Sequence, residues 1–301
     1  MKVYINGMLY EPEDAKVHVL GEGFLRGLGV RDTFVCRDRK FFHLDERLLF
    51  LQGIAPKVQM PFPWQVNDIK EALAITCEMS GFPGCDGVVR LILSAGMPER
   101  KVSNEPVEGT NEASAEKKIS EIEAALIVIP MGVKKSDDKL PAPIAVMSLP
   151  NAPISGEMLL LERNLQCGPG TAFARNRARE KGNEEALILD GDGTVAACTG
   201  GDIYAIRDGT IWVPETTPAS PMQENSVNIL KDLGHNCNVQ PLTVRDLQMA
   251  KECFLVSNLG EIRPIAAVDG GAIGDKKTGP TTQSIAAEFG EKIRSACQTP
   301  F

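Results

Sequence analysis

With three histidines and no cysteine pair at CxxC spacing in 301 residues, the chain has little from which to build a structural zinc site. So few histidines, so placed, also give no basis for a Ser-His-Asp or Cys-His nucleophile arrangement. Positive charge is in deficit. Thirty-two Lys and Arg against forty Asp and Glu leave a net charge of −8. A basic face is what neutralises phosphates, so nucleic acid and anionic membrane surfaces are not expected partners. No apolar run reaches the ~20 residues of a membrane span. The first residues, Met1 to Asn6, show neither the apolar segment nor the cleavage site of a signal peptide. The eight cysteines (Cys36, Cys77, Cys85, Cys167, Cys198, Cys237, Cys253 and Cys297) are scattered. They read as reduced, packed thiols, which places the chain in the cytoplasm.

What is present is ordinary globular material, 43% hydrophobic and 24% charged, in a length that suggests about two domains. A chain this long buries roughly three quarters of its unfolded surface and needs no covalent staple. Val3 to Ile5 reads as a strand, and Asn6-Gly7 is a strong hairpin signal. Thr33–Val35 and Phe41–Phe42 predict a second hairpin turned at residues 37–39. Asp45 is the expected cap of a short helix carrying Leu48, Leu49 and Leu51. Val66, Ile69, Leu73 and Cys77 form one stripe of a helix over 67–80, with Gly81 as its stop. Gly87 to Ser94 reads as a buried strand containing Arg90. The region 98–123 lacks aromatics and is polar, so it reads as a surface insertion.

The second half is more regular. A helix is expected over 171–181, ended by Gly182. Hairpins are expected at Ala186–Ala196 and Asp202–Val213, and another helix over 224–233. The pattern predicts an α+β fold. A smaller domain covers 1–130, a proline-punctuated linker 131–155, and a larger domain 156–301. Asp190-Gly-Asp-Gly193 is flanked by strands rather than helices, which makes it a turn and not a calcium loop. Gly21-Glu-Gly23 and Gly27-Leu-Gly29 match neither dinucleotide nor Walker spacing. They read as glycines that let the backbone bend. Arg175 and Arg177 read as a solvated helix face.

The order of segments resembles the class IV aminotransferase family, the fold-type IV group of pyridoxal-phosphate (PLP) enzymes. That group includes branched-chain aminotransferases, D-amino-acid aminotransferases and aminodeoxychorismate lyases. The likeness is carried by residues 23–34 (GFLRGLGVRDTF), 42–48 (FHLDERL), 178–190 (AREKGNEEALILD), 193–195 (GTV), 202–209 (DIYAIRDG), 254–265 (FLVSNLGEIRPI) and 268–274 (VDGGAIG). The resemblance implies the two-domain D-amino-acid aminotransferase-like architecture and a homodimer whose clefts are completed by the neighbouring subunit.

Carried over position by position, the resemblance also implies a loss. The family's Schiff-base lysine falls at Asn164, or at Arg163 if the register slips by one. Neither can make an imine with the cofactor. The acidic partner of the pyridine nitrogen falls at Ala197 and the phosphate arginine at Phe50. The helix end that should cradle phosphate reads Ser220 to Glu224, centred on Met222. There Pro221 lacks an N–H donor and Glu224 adds negative charge. Only Ser257 and Asn258 keep hydrogen-bonding character at the second phosphate segment. No catalytic residue and no cofactor are therefore assigned. The candidate ligand cleft is Arg31, Asp32, Arg90, Arg163, Asn164, Ser257 and Asn258, suited to a small anion. Arg31 and Asp32 stand where the family carries an aromatic and an acid. Three readings stay open: a PLP-free small-anion binder or PLP-independent enzyme, a working PLP aminotransferase or lyase using Lys134, Lys135 or Lys181, and a structural dimer subunit.

Overall fold

The computed structural model describes residues 1–37, 40–82, 86–96, 124–134, 140–150, 158, 161–216 and 219–298. The expected polar insertion at 98–123, most of the 37–39 turn and Lys135 lie outside them. The first sheet is wholly antiparallel. Its strands are β1 (Val3–Ile5), β2 (Met8–Tyr10), β3 (Gly29–Arg37), β4 (Lys40–Phe42), β5 (Asp86–Ser94) and β6 (Ala125–Lys134). They lie in the order β4-β3-β5-β6-β1-β2. The β1–β2 turn places Asn6 at φ 44° and Gly7 at φ 90°, the left-handed pair that makes Asn-Gly a hairpin signal. The first helix, α1 (Glu22–Leu25), precedes β3, and Gly27 follows it at φ 68°. Two longer helices, α2 (Leu44–Ile54) and α3 (Val66–Met79), pack their apolar residues on one face of this sheet.

Alternation along β3 sorts its side chains by face. Val30, Asp32, Phe34 and Cys36 are buried, whereas Arg31 and Thr33 are half-buried on the opposite face. In register, Arg31 stands opposite Ile92 and Thr33 opposite Arg90. Ile129 then stands opposite Arg90 on the next strand.

The second sheet is mixed, with nine strands among the described residues. It contains β7 (Ile144–Leu149), β8 (Glu185–Leu189), β9 (Val195–Cys198), β10 (Asp202–Arg207) and β11 (Thr210–Pro214), then β12 (Asn236–Gln240), β13 (Glu252–Val256), β14 (Ile262–Val268) and β15 (Gly271–Ala272). Its helices are α4 (Pro169–Glu180), α5 (Pro221–Asp232), α6 (Val244–Gln248) and α7 (Pro280–Ser295). Gly182 and Gly234 end α4 and α5 at φ 77° and 86°, as helix stops should. The 190–193 segment is a turn between β8 and β9.

Several boundaries differ from those the sequence suggested. Residues 131–134 continue β6, and 144–149 form a strand of the second sheet paired with β8 and β14. Within the proposed 131–155 linker, residues 131–134 and 144–149 are thus strand. The prolines at 141 and 143 mark the approach to β7, whose apolar residues are buried at its start. The chain end also returns to the first sheet, because β16 (Cys297–Gln298) pairs with β4. Helix α2 begins one residue before Asp45. His43, at φ 46° and with no side-chain cap, precedes it, and Asp45 instead pairs with Lys70. Helix α5 starts earlier than expected, at Pro221, because Ser220 caps it.

Candidate functional site

One short stretch, residues 161–166, ties the two sheets together. Its far end runs along the free edge of β3. Arg31 N donates to Asn164 O at 2.6 Å and Gln166 N to Gly29 O at 2.8 Å. Asn164 is itself buried, and its Nδ2 donates to Arg31 O at 3.2 Å. Its near end points the other way. Arg163 reaches the turn between β9 and β10. Its Nη1 donates to Asp202 Oδ1 at 2.7 Å, and its Nη2 to the carbonyls of Cys198 (2.6 Å) and Gly201 (2.7 Å). The side chains of Arg163 and Asp202 are 6% and 3% exposed, so this is a fully desolvated ion pair. The turn needs Gly201 at φ 154°, where a Cβ would stand 2.1 Å from Val256 O.

The second oxygen of Asp202 organises the start of α5. It accepts from Ser220 Oγ at 3.2 Å, and Ser220 Oγ accepts from Gln223 N at 3.0 Å. Gln223 is buried. Its Oε1 takes the Thr216 hydroxyl at 2.7 Å, and its Nε2 donates to Pro214 O at 3.2 Å. Of the N-terminal donors of this helix, Gln223 N is therefore served by Ser220, and Pro221 has no N–H to offer. The cavity left among Arg163, Ala197, Gly201, Asp202 and Gln223 measures about 10 Å³, roughly the room of one water. No lysine is among its lining residues. Burial pushes the neighbouring Cys198 thiol up to about 11, with Glu185 and Asp202 adding to the rise. It is a packed thiol, not a thiolate nucleophile.

The cleft candidates divide into those brought together and those that are not. Arg163 and Ala197, the positions carried over for the lysine and the acid, line the same cavity. Asn164 turns away to the β3 backbone. Phe50 packs against the first core and Met222 is buried in the second. Ser257 Oγ accepts from Leu259 N and Glu261 N, at 3.3 and 3.2 Å, within its own turn. Asn258 is half-buried beside it. Asp32 is not a cleft residue. It is 6% exposed on the helix-covered face, where Arg47 Nε and Nη2 grip its two oxygens at 2.8 and 2.7 Å. The strand's period of two sends it there, one residue out of phase with Arg31.

Arg31 and Arg90 remain on the open face. Arg31 Nε donates to Leu165 O at 2.8 Å, and Arg90 Nε to Thr33 Oγ1 at 3.3 Å. Burial lowers the pKa of Arg31, and the neighbouring charge of Arg90 lowers it further. Next to them lies a cavity of about 400 Å³ whose walls include Ile5, Ile92, Ile127 and Ile129.

Sequence reasoning missed four residues that shape this region: Arg47, Glu185, Asp202 and Thr199. Glu185 is 5% exposed. It takes Arg175 Nε at 2.8 Å, the Thr199 hydroxyl at 2.6 Å and Arg263 Nη1 at 3.5 Å. Arg175 is thus half of an ion pair rather than part of a solvated face, whereas Arg177 is exposed and pairs with Glu180. The available signal was a charge in or beside an apolar strand, which is costly without a partner.

The family model for class IV amino-transferases matches residues 29–268, and the chain belongs to that family. A putative branched-chain-amino-acid aminotransferase of Methanocaldococcus jannaschii is 25% identical over 293 residues, covering 96% of this chain and 95% of that protein. A D-alanine aminotransferase of Listeria monocytogenes is 25% identical over 306 residues, covering 99% and 98%. Among solved structures, the branched-chain aminotransferase of Thermoproteus uzoniensis with norvaline superposes with a TM-score of 0.78 at 22% identity, covering 98% and 95%. A hypothetical aminotransferase from Mycobacterium tuberculosis in its PLP-bound form gives 0.77 at 16% identity, covering 98% and 99%. The fold is accordingly the α+β, two-domain fold-type IV aminotransferase architecture. No helix among the described residues is long and apolar enough to cross a membrane.

Proposed function

We propose that this chain is a class IV aminotransferase-fold protein whose cofactor place is closed from inside by Arg163, and that it serves as a small-anion binder without PLP. The observation that carries the reading is the Arg163 guanidinium, fixed on Asp202, Cys198 and Gly201 beside Ala197. PLP chemistry needs a lysine amine, an acid at the pyridine nitrogen and donors for phosphate. At the corresponding positions this chain has an arginine already engaged, an alanine and a helix end capped by Ser220. These residues do not fit the cofactor, and no reaction step is assigned through it. Of the alternative lysines, Lys134 ends β6 opposite Asp86, and Lys181 is exposed at the end of α4. The anion-binding chemistry falls to Arg31 and Arg90, with Ser257 and Asn258 nearer the closed pocket.

An absorption spectrum tests this directly. Titrating the purified protein with PLP should give only the spectrum of the free cofactor, with nothing trapped by borohydride. A visible Schiff-base band, lost on reduction and accompanied by turnover of an amino acid, would replace this reading with that of a working aminotransferase.

The same reading makes the chain a cytoplasmic homodimer. Val17, Val19, Leu20, Phe24 and Leu25 are all exposed, five large apolar side chains within nine residues. A patch of this kind marks an interaction surface. None of the seven described cysteines is in a disulfide with another, in keeping with a reducing compartment. Light scattering should return twice the monomer mass at micromolar concentration. The monomer mass throughout that range would count against the dimer.

A further inference from the structure

We infer that Arg31 and Arg90 form a clamp for one compact dianion, the phosphate group of a phosphate monoester whose organic part rests on Ile92, Ile127 and Ile129. This rests on the reading above that the cleft takes a small anion, and it adds the charge and class of that anion.

The two arginines lie on adjacent strands and on the same face, since Thr33 is opposite Arg90 and Arg31 is two residues before Thr33. Each is half-buried. Neither has an ion-pair partner among the described residues. The nearby acids are committed elsewhere. Asp32 faces away and holds Arg47. Glu162 accepts from the backbone N–H groups of Gly170 and Thr171, at 3.2 and 2.7 Å. On top of the cost of burial, the charge of Arg90 acts on Arg31, and Asp32 and Glu162 offset this only in part, since the Arg31 pKa stays lowered. Such a pair is unfavourable by itself. A half-buried arginine gains from a counter-charge, and among the described residues neither of these forms an ion pair.

The way each arginine is tethered narrows the ligand. Both are anchored through Nε, Arg31 on Leu165 O and Arg90 on Thr33 Oγ1. That leaves the terminal Nη1 and Nη2 of each without a partner among the described residues, two forks held in place by their stems. A fork of this kind binds a carboxylate or phosphate bidentately. One carboxylate carries a single charge and leaves one arginine uncompensated. A phosphate monoester carries about −1.5 to −2 at neutral pH and three acceptor oxygens, enough for both forks. The wall beside the forks is apolar. Ile92 stands opposite Arg31, and Ile129 opposite Arg90. The adjoining space of about 400 Å³ gives room for an organic group on the ester.

Calorimetric titration of the full chain with three probes tests the clamp: phenyl phosphate, inorganic phosphate and benzoate. Phenyl phosphate should bind best, inorganic phosphate more weakly, and benzoate at least about tenfold more weakly than phenyl phosphate. Arg31→Gln and Arg90→Gln should each weaken phenyl phosphate by about 10–100-fold, as the loss of a charged hydrogen-bonding pair does. Arg→Lys at either position should recover only part of it, because the fork is lost while the charge stays. In the ligand-free protein each Gln variant should melt at or above the parent temperature, since a like-charge contact is relieved. A structural role would lower it. Equal binding of benzoate and phenyl phosphate, or phosphate binding that survives both Gln substitutions, would overturn the clamp. Inorganic phosphate binding as tightly as phenyl phosphate would assign the site to the free ion and remove the ester. A Schiff-base band with PLP would remove the earlier reading and leave this titration standing. A failed titration without such a band would remove this inference alone.

Discussion

Replacing Arg163 by methionine should destabilise the folded chain by about 3–5 kcal/mol, read as a lower urea midpoint with an unchanged slope. The side chain is nearly inaccessible, and its guanidinium serves Asp202 and two backbone carbonyls at once. Removing it leaves a carboxylate 3% exposed without its counter-ion, together with two buried acceptors. Arg163→Met combined with Asp202→Leu should recover a substantial part of the loss, because the uncompensated charge is removed with its partner. The recovery should be incomplete, since Asp202 also holds Ser220 at the start of α5. A single substitution costing less than about 1 kcal/mol would show a solvated, surface-like pair instead, and would remove the argument that Arg163 closes the pocket. The same geometry bears on cofactor chemistry. Arg163→Lys with Ala197→Glu restores the two side-chain types that the cofactor requires at one cavity. It should move the protein towards a Schiff base with PLP, while the capped α5 terminus keeps the affinity low.

Asp32→Ala should be comparably damaging, about 3–5 kcal/mol, and should leave phosphate binding at Arg31 and Arg90 intact. Arg47 makes a two-pronged pair with Asp32, donates to Thr33 O at 2.9 Å, and lies 4.3 Å from the centre of the Phe34 ring. It is 5% exposed and would be left buried with most of its charge uncompensated. Chemical denaturation measures the first effect and calorimetry with phenyl phosphate the second. If Asp32→Ala instead changed phosphate affinity with little effect on stability, Asp32 would belong to the ligand face after all, and the assignment of faces along β3 would be wrong.

Much of the framework was legible in the chain itself. Asn6-Gly7, Asp208-Gly209 and the 190–193 turn each demand backbone that only a few residue types adopt, so their hairpins could be read locally. The stripe through Ile69, Leu73 and Cys77 fixed α3 in the same way, and Gly81, Gly182 and Gly234 fixed three helix ends. The helix over 280–295 carries markers of the same kind, Pro280 in its first turn and a stripe through Ile285, Phe289 and Ile293, and sequence reasoning missed it. Gly279 precedes it without a side-chain cap, and Ile285, Phe289 and Ile293 pack into the second core. Resemblance in segment order added the fold and the positions where cofactor contacts should stand.

The sequence by itself determined the α+β fold, the turns, and the side-chain types at the cofactor positions. Those properties depend on neighbours a few residues away or on the order of segments. Only the tertiary structure decided which charges meet. Arg163 lies 39 positions from Asp202 along the chain, Asp32 lies 15 from Arg47, and Arg90 lies 57 from Thr33. No local pattern encodes such pairings. A buried charge selects its partner through the folded chain, where leaving it alone would cost several kcal/mol. One residue of phase along β3 is enough to send Asp32 into the core and leave Arg31 on the open face.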